Sequence, residues 1–294
     1  MKGQNGVIMK ATKNKAILVY LALVLGICCL LGLLEAVTGS GQFYQILGIG
    51  FTFIPVIAAV VTRRITGERA KYHLSLRVWK DIKRWLLSAL LPGALIAVGA
   101  VIYYLVFPER YSGIFKIGMR LGTDAEIAVN SPILIALACI AVSAVMIPVQ
   151  LLELGEEIGW RGYLLGLQVE KYGERKAVII NGIEWGFAHL PLVWFGFNYS
   201  LDNPGAPWSN MIMMMVTCIA LGVIFSYVTI KTENCMYAAI AHGAANVIGE
   251  LPVYFSVDLS NGLLGPNPTG LLTMLPLIVF AVICFAKLGK SAKQ

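Results

Sequence analysis

The chain has 294 residues, of which 58% are hydrophobic and only 13% charged, with a formal net charge of +7. Soluble domains run nearer half apolar and a quarter charged, and here the apolar residues come in runs of about twenty, the length that crosses roughly 30 Å of hydrocarbon. That excludes an ordinary soluble enzyme and points to an all-α polytopic membrane protein, because lipid offers backbone groups no hydrogen bonds and leaves helices as the spanning elements.

In chain order the sequence predicts about eight spans, near 16–36, 43–62, 85–107, 131–153 and onward, 177–197, 210–230, 235–254 and 270–287. The first run is too long for a signal peptide and closes on no convincing small-x-small site, so it reads as an anchor. With both termini in the cytoplasm, 20 of the 23 Lys and Arg residues face inward and only Arg110, Lys116 and Arg120 face out, which satisfies the positive-inside rule. The basic excess is thus a topology signal, and nucleic acid is not an expected partner.

The 62–85 segment, with Trp79, Trp85 and eight Lys or Arg residues, reads equally well as an amphipathic segment on anionic lipid or as plain positive-inside retention. His73 within it is expected to be a solvated loop residue. Outer loops such as "DNPGAPWSN" carry Pro, Gly and Asn punctuation. The six cysteines all sit in apolar runs with no CxxC pair, and so read as small hydrophobes in helix packing. The sequence shows no internal repeat and no soluble domain; residues 1–294 form one membrane domain, with a core near 148–250.

The fourth span runs into "ELGEEIGWRGYLLG", residues 153–166, where three glutamates and an arginine sit in apolar surroundings. Such charges are costly in the membrane unless paired or used. Ser131 through Gln168 would make a helix of about 57 Å, so a break is expected, with Pro148 as its cause. Glu157 and Arg161 are i and i+4 and can pair. Glu156 is rotated about 100° away and is left as a free carboxylate, able to act as a general base or to bind a metal. Glu153 is expected to join Arg161 or lie on the helix surface.

Two of the three histidines are intramembrane. His189 follows Trp185 by four residues, and His242 shares a face with Asn246 among small residues that allow close helix approach. Counted from the cytoplasmic ends of their helices, His242 lies about 11 Å deep, and His189 and Glu156 about 18 Å. A spare carboxylate, two histidines and an amide can therefore converge on one pocket.

The motifs EExxxR (Glu156, Glu157, Arg161), aromatic-xxx-His (Trp185, His189) and HxxxN (His242, Asn246), in order on successive spans over residues 148 to 250, resemble the CPBP family. These are the CAAX-protease and bacteriocin-processing intramembrane endopeptidases, also called Abi or lysostaphin-resistance-protein-A-like proteins. Trp185 departs from the phenylalanine more usual there. The resemblance implies an eight-helix protease with a conical cavity open to cytoplasm and lipid. It implies Glu156 as water-activating base assisted by His189, Glu157–Arg161 as a structural pair, and His242 and Asn246 as oxyanion donors. The mechanism is expected to need no cofactor. A zinc ion on His189, His242 and a glutamate is the alternative.

The expected partners are membrane lipid and a membrane-associated peptide, prenylated or bacteriocin-like, cleaved near the cytoplasmic face. The expected location is a bacterial cytoplasmic membrane. A non-catalytic peptide-binding or immunity protein of the same fold and a proton-coupled carrier are the rival readings. Substrate, oligomeric state and the roles of Glu153, Glu184 and Glu250 are left open by the sequence.

Overall fold

The computed structural model describes residues 2–69, 73–116, 127–128, 132–257 and 262–289. Arg120 and Ser131, named above, lie outside these, as does the span 70–72 of the basic loop. Each of the eight apolar segments is helical. The first is α1 (Lys2–Thr38), and the second divides into α2 (Gln42–Phe51) and α3 (Ile54–Thr66), bent by 69° to each other. The third is α4 (Ile82–Val106).

The fourth divides into α5 (Pro132–Val145), α6 (Ile147–Glu157), a π-helical stretch (Ile158–Leu164) and α7 (Leu165–Tyr172). The rest are α8 (Glu174–Trp194), α9 (Trp208–Thr232), α10 (Met236–Gly249) and α11 (Leu271–Ala286). Two residue pairs, β1 (Ile114–Phe115) and β2 (Ile127–Ala128), form a short antiparallel ladder.

Among the described residues, three helices are long and apolar enough to cross a membrane (Ala11–Thr38, Ile82–Val106 and Trp208–Thr232), or four if the bent α2–α3 pair is one span. This is a helical membrane protein, with fewer self-sufficient spans than the hydropathy runs suggest. The shortfall has several causes: the fourth segment is broken, α10 and α11 are short, and α8 carries charged and polar side chains. Such elements are tolerated at membrane depth where they are buried in protein or line a cavity. Around them, Leu18, Leu33, Val101 and Leu105 are exposed, as expected where the solvent is lipid.

The expected break in the fourth span falls at Met146, with Pro148 in the first turn of α6, where its missing N–H costs nothing. The π stretch leaves backbone carbonyls for outside donors. Trp160 O accepts from Asn181 Nδ2 at 3.2 Å, and Gly162 O accepts from the His73 amide at 2.9 Å. His73 lies in a loop, as expected, but it is half-buried and its backbone is tied down. Its own carbonyl accepts from the Cys235 amide at 2.7 Å, tying the loop to the start of α10.

Small residues set how closely the core helices approach. A Cβ on Gly155 would lie 2.6 Å from the Thr52 carbonyl oxygen, and one on Gly159 would lie 2.4 Å from Pro55 Cβ. This four-residue spacing seats α6 and the π stretch on the α2–α3 bend. Gly243, beside His242, does the same for α10 against Gln150 of α6, at 2.7 Å from its Cα. Cys28, Cys218, Cys235 and Cys284 are buried thiols, in keeping with their reading as packing residues, whereas Cys29 is exposed on the outer face of α1, against that expectation.

Candidate functional site

Glu156, Glu157 and Arg161 are all buried where α6 passes into the π stretch. Arg161 Nη1 donates to Glu157 Oε1 at 2.9 Å, and both side chains are fully buried. The other face of the guanidinium is covered by aromatic rings: its carbon lies 4.2 Å from the centroid of Trp185 and 5.5 Å from that of Phe225. A weakly hydrated planar cation is held well by ring faces in a dry site.

Trp185 has a second task. Its indole N–H donates to Oε1 of Glu156, and its carbonyl accepts from His189 Nδ1 at 2.9 Å. Glu156 and His189 share no direct hydrogen bond; Trp185 connects them. Because a carbonyl can only accept, this bond places the proton of a neutral His189 on Nδ1 and leaves Nε2 as the acceptor. Phe51 at the end of α2 packs on the His189 ring with centroids 4.3 Å apart, and Cys218 Sγ lies 3.6 Å from Nδ1.

From α10, His242 Nδ1 lies 3.0 Å from Glu157 Oε1 and 3.6 Å from Glu153 Oε2. Asn246 Nδ2 donates to Glu153 Oε1 at 3.0 Å. Glu153 thus belongs neither to the Arg161 pair nor to an idle surface. One turn before Glu157, it faces α10 and holds both members of HxxxN. The carboxylates can only accept, so His242 donates from Nδ1, and Nε2 is its remaining polar atom.

These groups share one cavity of about 170 Å³, lined by Glu153, Glu156, His189, His242 and Asn246 along with apolar side chains. Glu156, His189 and His242 are buried while Asn246 is exposed. The donor atoms that gather most closely are oxygens of Glu153 and Glu156 and a ring nitrogen of His242, all within 4.8 Å of one another. In that trio Glu153 stands where the sequence suggested His189. Two carboxylates and one imidazole are an acceptable set for a divalent metal.

The remaining acids resolve into packing. Glu184 accepts from Gln168 Nε2 at 2.5 Å, and Gln168 in turn accepts from Asn181 at 3.1 Å. Glu250 accepts from the Tyr254 hydroxyl at 2.9 Å. Sequence reasoning passed over Glu35, whose carboxylate receives the amides of Gly41, Phe43 and Tyr44 at 2.7, 3.1 and 3.1 Å. It clamps the start of α2, the helix that delivers Phe51. An acid just before a Gly-Ser-Gly turn was the signal available for it.

Fold and site together define a helical membrane protein with a buried carboxylate–histidine cluster at a helix break. Residues 130–248 match the family described as type II CAAX prenyl endopeptidase Rce1-like, and the CPBP resemblance read from the three motifs holds over that stretch. CAAX prenyl protease 2 of Methanococcus maripaludis is 29% identical over 99 residues, which are 33% of this chain and 36% of that protein. The chain thus matches about a third of that relative's length.

Proposed function

We propose that the protein is an intramembrane endopeptidase that hydrolyses a peptide bond of a membrane-associated peptide near the cytoplasmic face. Both termini would be cytoplasmic and the membrane the cytoplasmic one. The observation that carries the reading is the common cavity of Glu156, His189, His242 and Asn246, set in a chain that matches Rce1-like endopeptidases over residues 130–248.

In this mechanism Glu156, oriented by the Trp185 indole, takes a proton from a water molecule whose oxygen attacks the scissile carbonyl. The same carboxyl then passes the proton to the departing amine as the C–N bond breaks. His189 Nε2 accepts a hydrogen bond from that water. Protonated His242, its Nδ1 held by two carboxylates, donates from Nε2 to the tetrahedral oxygen, with Asn246 beside it. Directed donors in a low-dielectric site are worth about 3–4 kcal/mol in that role.

The test is Glu156→Ala. Membrane peptides that accumulate in cells carrying the variant identify the substrate. Purified wild type should cleave that substrate, and well-folded Glu156→Ala should not. Normal cleavage by the variant would remove Glu156 from the mechanism. A second reading rests on the Glu153, Glu156 and His242 trio: these residues would hold a divalent metal, which would supply an activated water at neutral pH. Stoichiometric metal in purified wild type that is lost in Glu153→Gln would favour it.

A further inference from the structure

We propose that residues 73–87 form a strap that seats on anionic phospholipid and is tied to the π stretch and α10, two of the elements carrying the catalytic candidates. This goes beyond the peptidase reading and does not rest on it. The strap runs through a 3-10 turn (Val78–Lys80) into the first turns of α4. Asn234 grips Ser75 on both sides, its Oδ1 accepting from the Ser75 amide at 2.9 Å and its Nδ2 donating to the Ser75 carbonyl at 2.9 Å. The same Oδ1 accepts from the Met236 amide at 3.1 Å at the start of α10. With the His73 bonds to Gly162 and Cys235, the strap is tied one residue from Arg161 and at the cap of the helix that holds His242.

Val78 and Trp85 pack inward against Met236 and Ile240. Leu76, Trp79 and Ile82 are turned outward with 59, 68 and 60% of their surface exposed. Between and beside them Arg77, Lys80 and Lys83 are also exposed, while Arg84 is paired with Asp81 at 3.2 Å. An indole and two aliphatic chains projecting among three cations match the headgroup boundary of a leaflet, where the ring sits at the interface and the cations meet lipid phosphates. The charge selects the lipid. A zwitterionic surface offers no net attraction to three cations, whereas an anionic leaflet does.

The experiment uses the full chain reconstituted in phosphatidylcholine–phosphatidylglycerol vesicles in which one lipid or the other carries brominated acyl chains, which quench tryptophan on contact. Subtracting Trp79→Phe isolates the Trp79 signal from the other five tryptophans. At equal mole fraction, brominated phosphatidylglycerol should quench Trp79 about twofold more than brominated phosphatidylcholine. That preference should vanish in R77Q/K80Q/K83Q and shrink when salt is raised. The salt arm, run on wild type, decides the matter should the triple variant fail to fold. Equal quenching by both lipids overturns the proposal. So does quenching by aqueous acrylamide alone, which would place the strap in water. Protection from all three quenchers would mean that protein covers the strap, and it overturns the proposal too.

Discussion

The indole N–H of Trp185 donates to Oε1 of Glu156 while the same ring lies 4.2 Å under the Arg161 guanidinium carbon. One side chain thus orients the proposed base and covers the fixed cation of the site. Its backbone carbonyl holds His189 as well, at 2.9 Å.

Trp185→Phe separates these tasks. A phenyl ring keeps much of the packing and all of the backbone, but it has no N–H to give Glu156. A hydrogen bond to a charged group contributes about 1.5–3 kcal/mol. The expected result is a fall of about tenfold or more in kcat/KM on the substrate that Glu156→Ala accumulates, with only a small shift in thermal unfolding in detergent. Unchanged turnover would show that the indole bond does not matter to the chemistry.

Arg161→Met tests the other half of the cluster. Breaking one side of a buried ion pair leaves an uncompensated charge and costs about 3–5 kcal/mol. Here Glu157 would lose its permanent cation and keep the titratable His242, whose Nδ1 lies 3.0 Å away. Thermal unfolding should show a loss of that size for Arg161→Met, and a smaller loss for the double variant E157Q/R161M, in which no charge is stranded. Equal losses would mean the pair does not couple.

The helical, membrane-embedded character of the chain was legible in the sequence because hydropathy runs are a first-order consequence of the bilayer. The Glu157–Arg161 pair was legible from i,i+4 spacing alone. Other features were not, for a physical reason in each case. Glu153 was unassigned because its partners, His242 and Asn246, lie about ninety residues further along the chain, and no local periodicity reports such a contact. The π stretch left no compositional mark, since widening one turn needs no special residue. Trp185 looked like a packing ring because a sequence pattern shows which side chains share a helix face, not where an indole nitrogen points. His73 looked solvated because the carbonyl it meets, that of Gly162, is presented by the π stretch.

Glu35→Ala should loosen the α2 helix without touching the cavity directly. Three amides, those of Gly41, Phe43 and Tyr44, end on this one carboxylate. Their loss of a common acceptor is worth about 1–3 kcal/mol. Amide exchange should accelerate at residues 41–44 and along α2, with residues of α10 unaffected. Because Phe51 rides on α2 and packs against His189, the variant should lose turnover without losing its fold. Unchanged exchange at 41–44 would show the clamp to be dispensable.

Gly159→Ala puts the helix seating to the test, with Gly26→Ala as the control. Both glycines lie within helical stretches, and in an ordinary helix the added methyl group is favourable by up to about 1 kcal/mol. Gly26 has nothing within 4 Å of the new carbon, so its variant should be neutral or slightly more stable. Gly159 would bring that carbon 2.4 Å from Pro55 Cβ and 2.5 Å from the Pro55 carbonyl carbon. Proline is stiff and backbone cannot rotate aside, so the π stretch and α3 must separate, and overpacking of this kind costs about 1–3 kcal/mol. Glu156, Glu157 and Arg161 flank the displaced residue, so thermal stability and turnover should fall together for Gly159→Ala and neither should fall for Gly26→Ala. A stable, fully active Gly159→Ala would mean that contact between the α2–α3 bend and the π stretch does not set the position of the carboxylates.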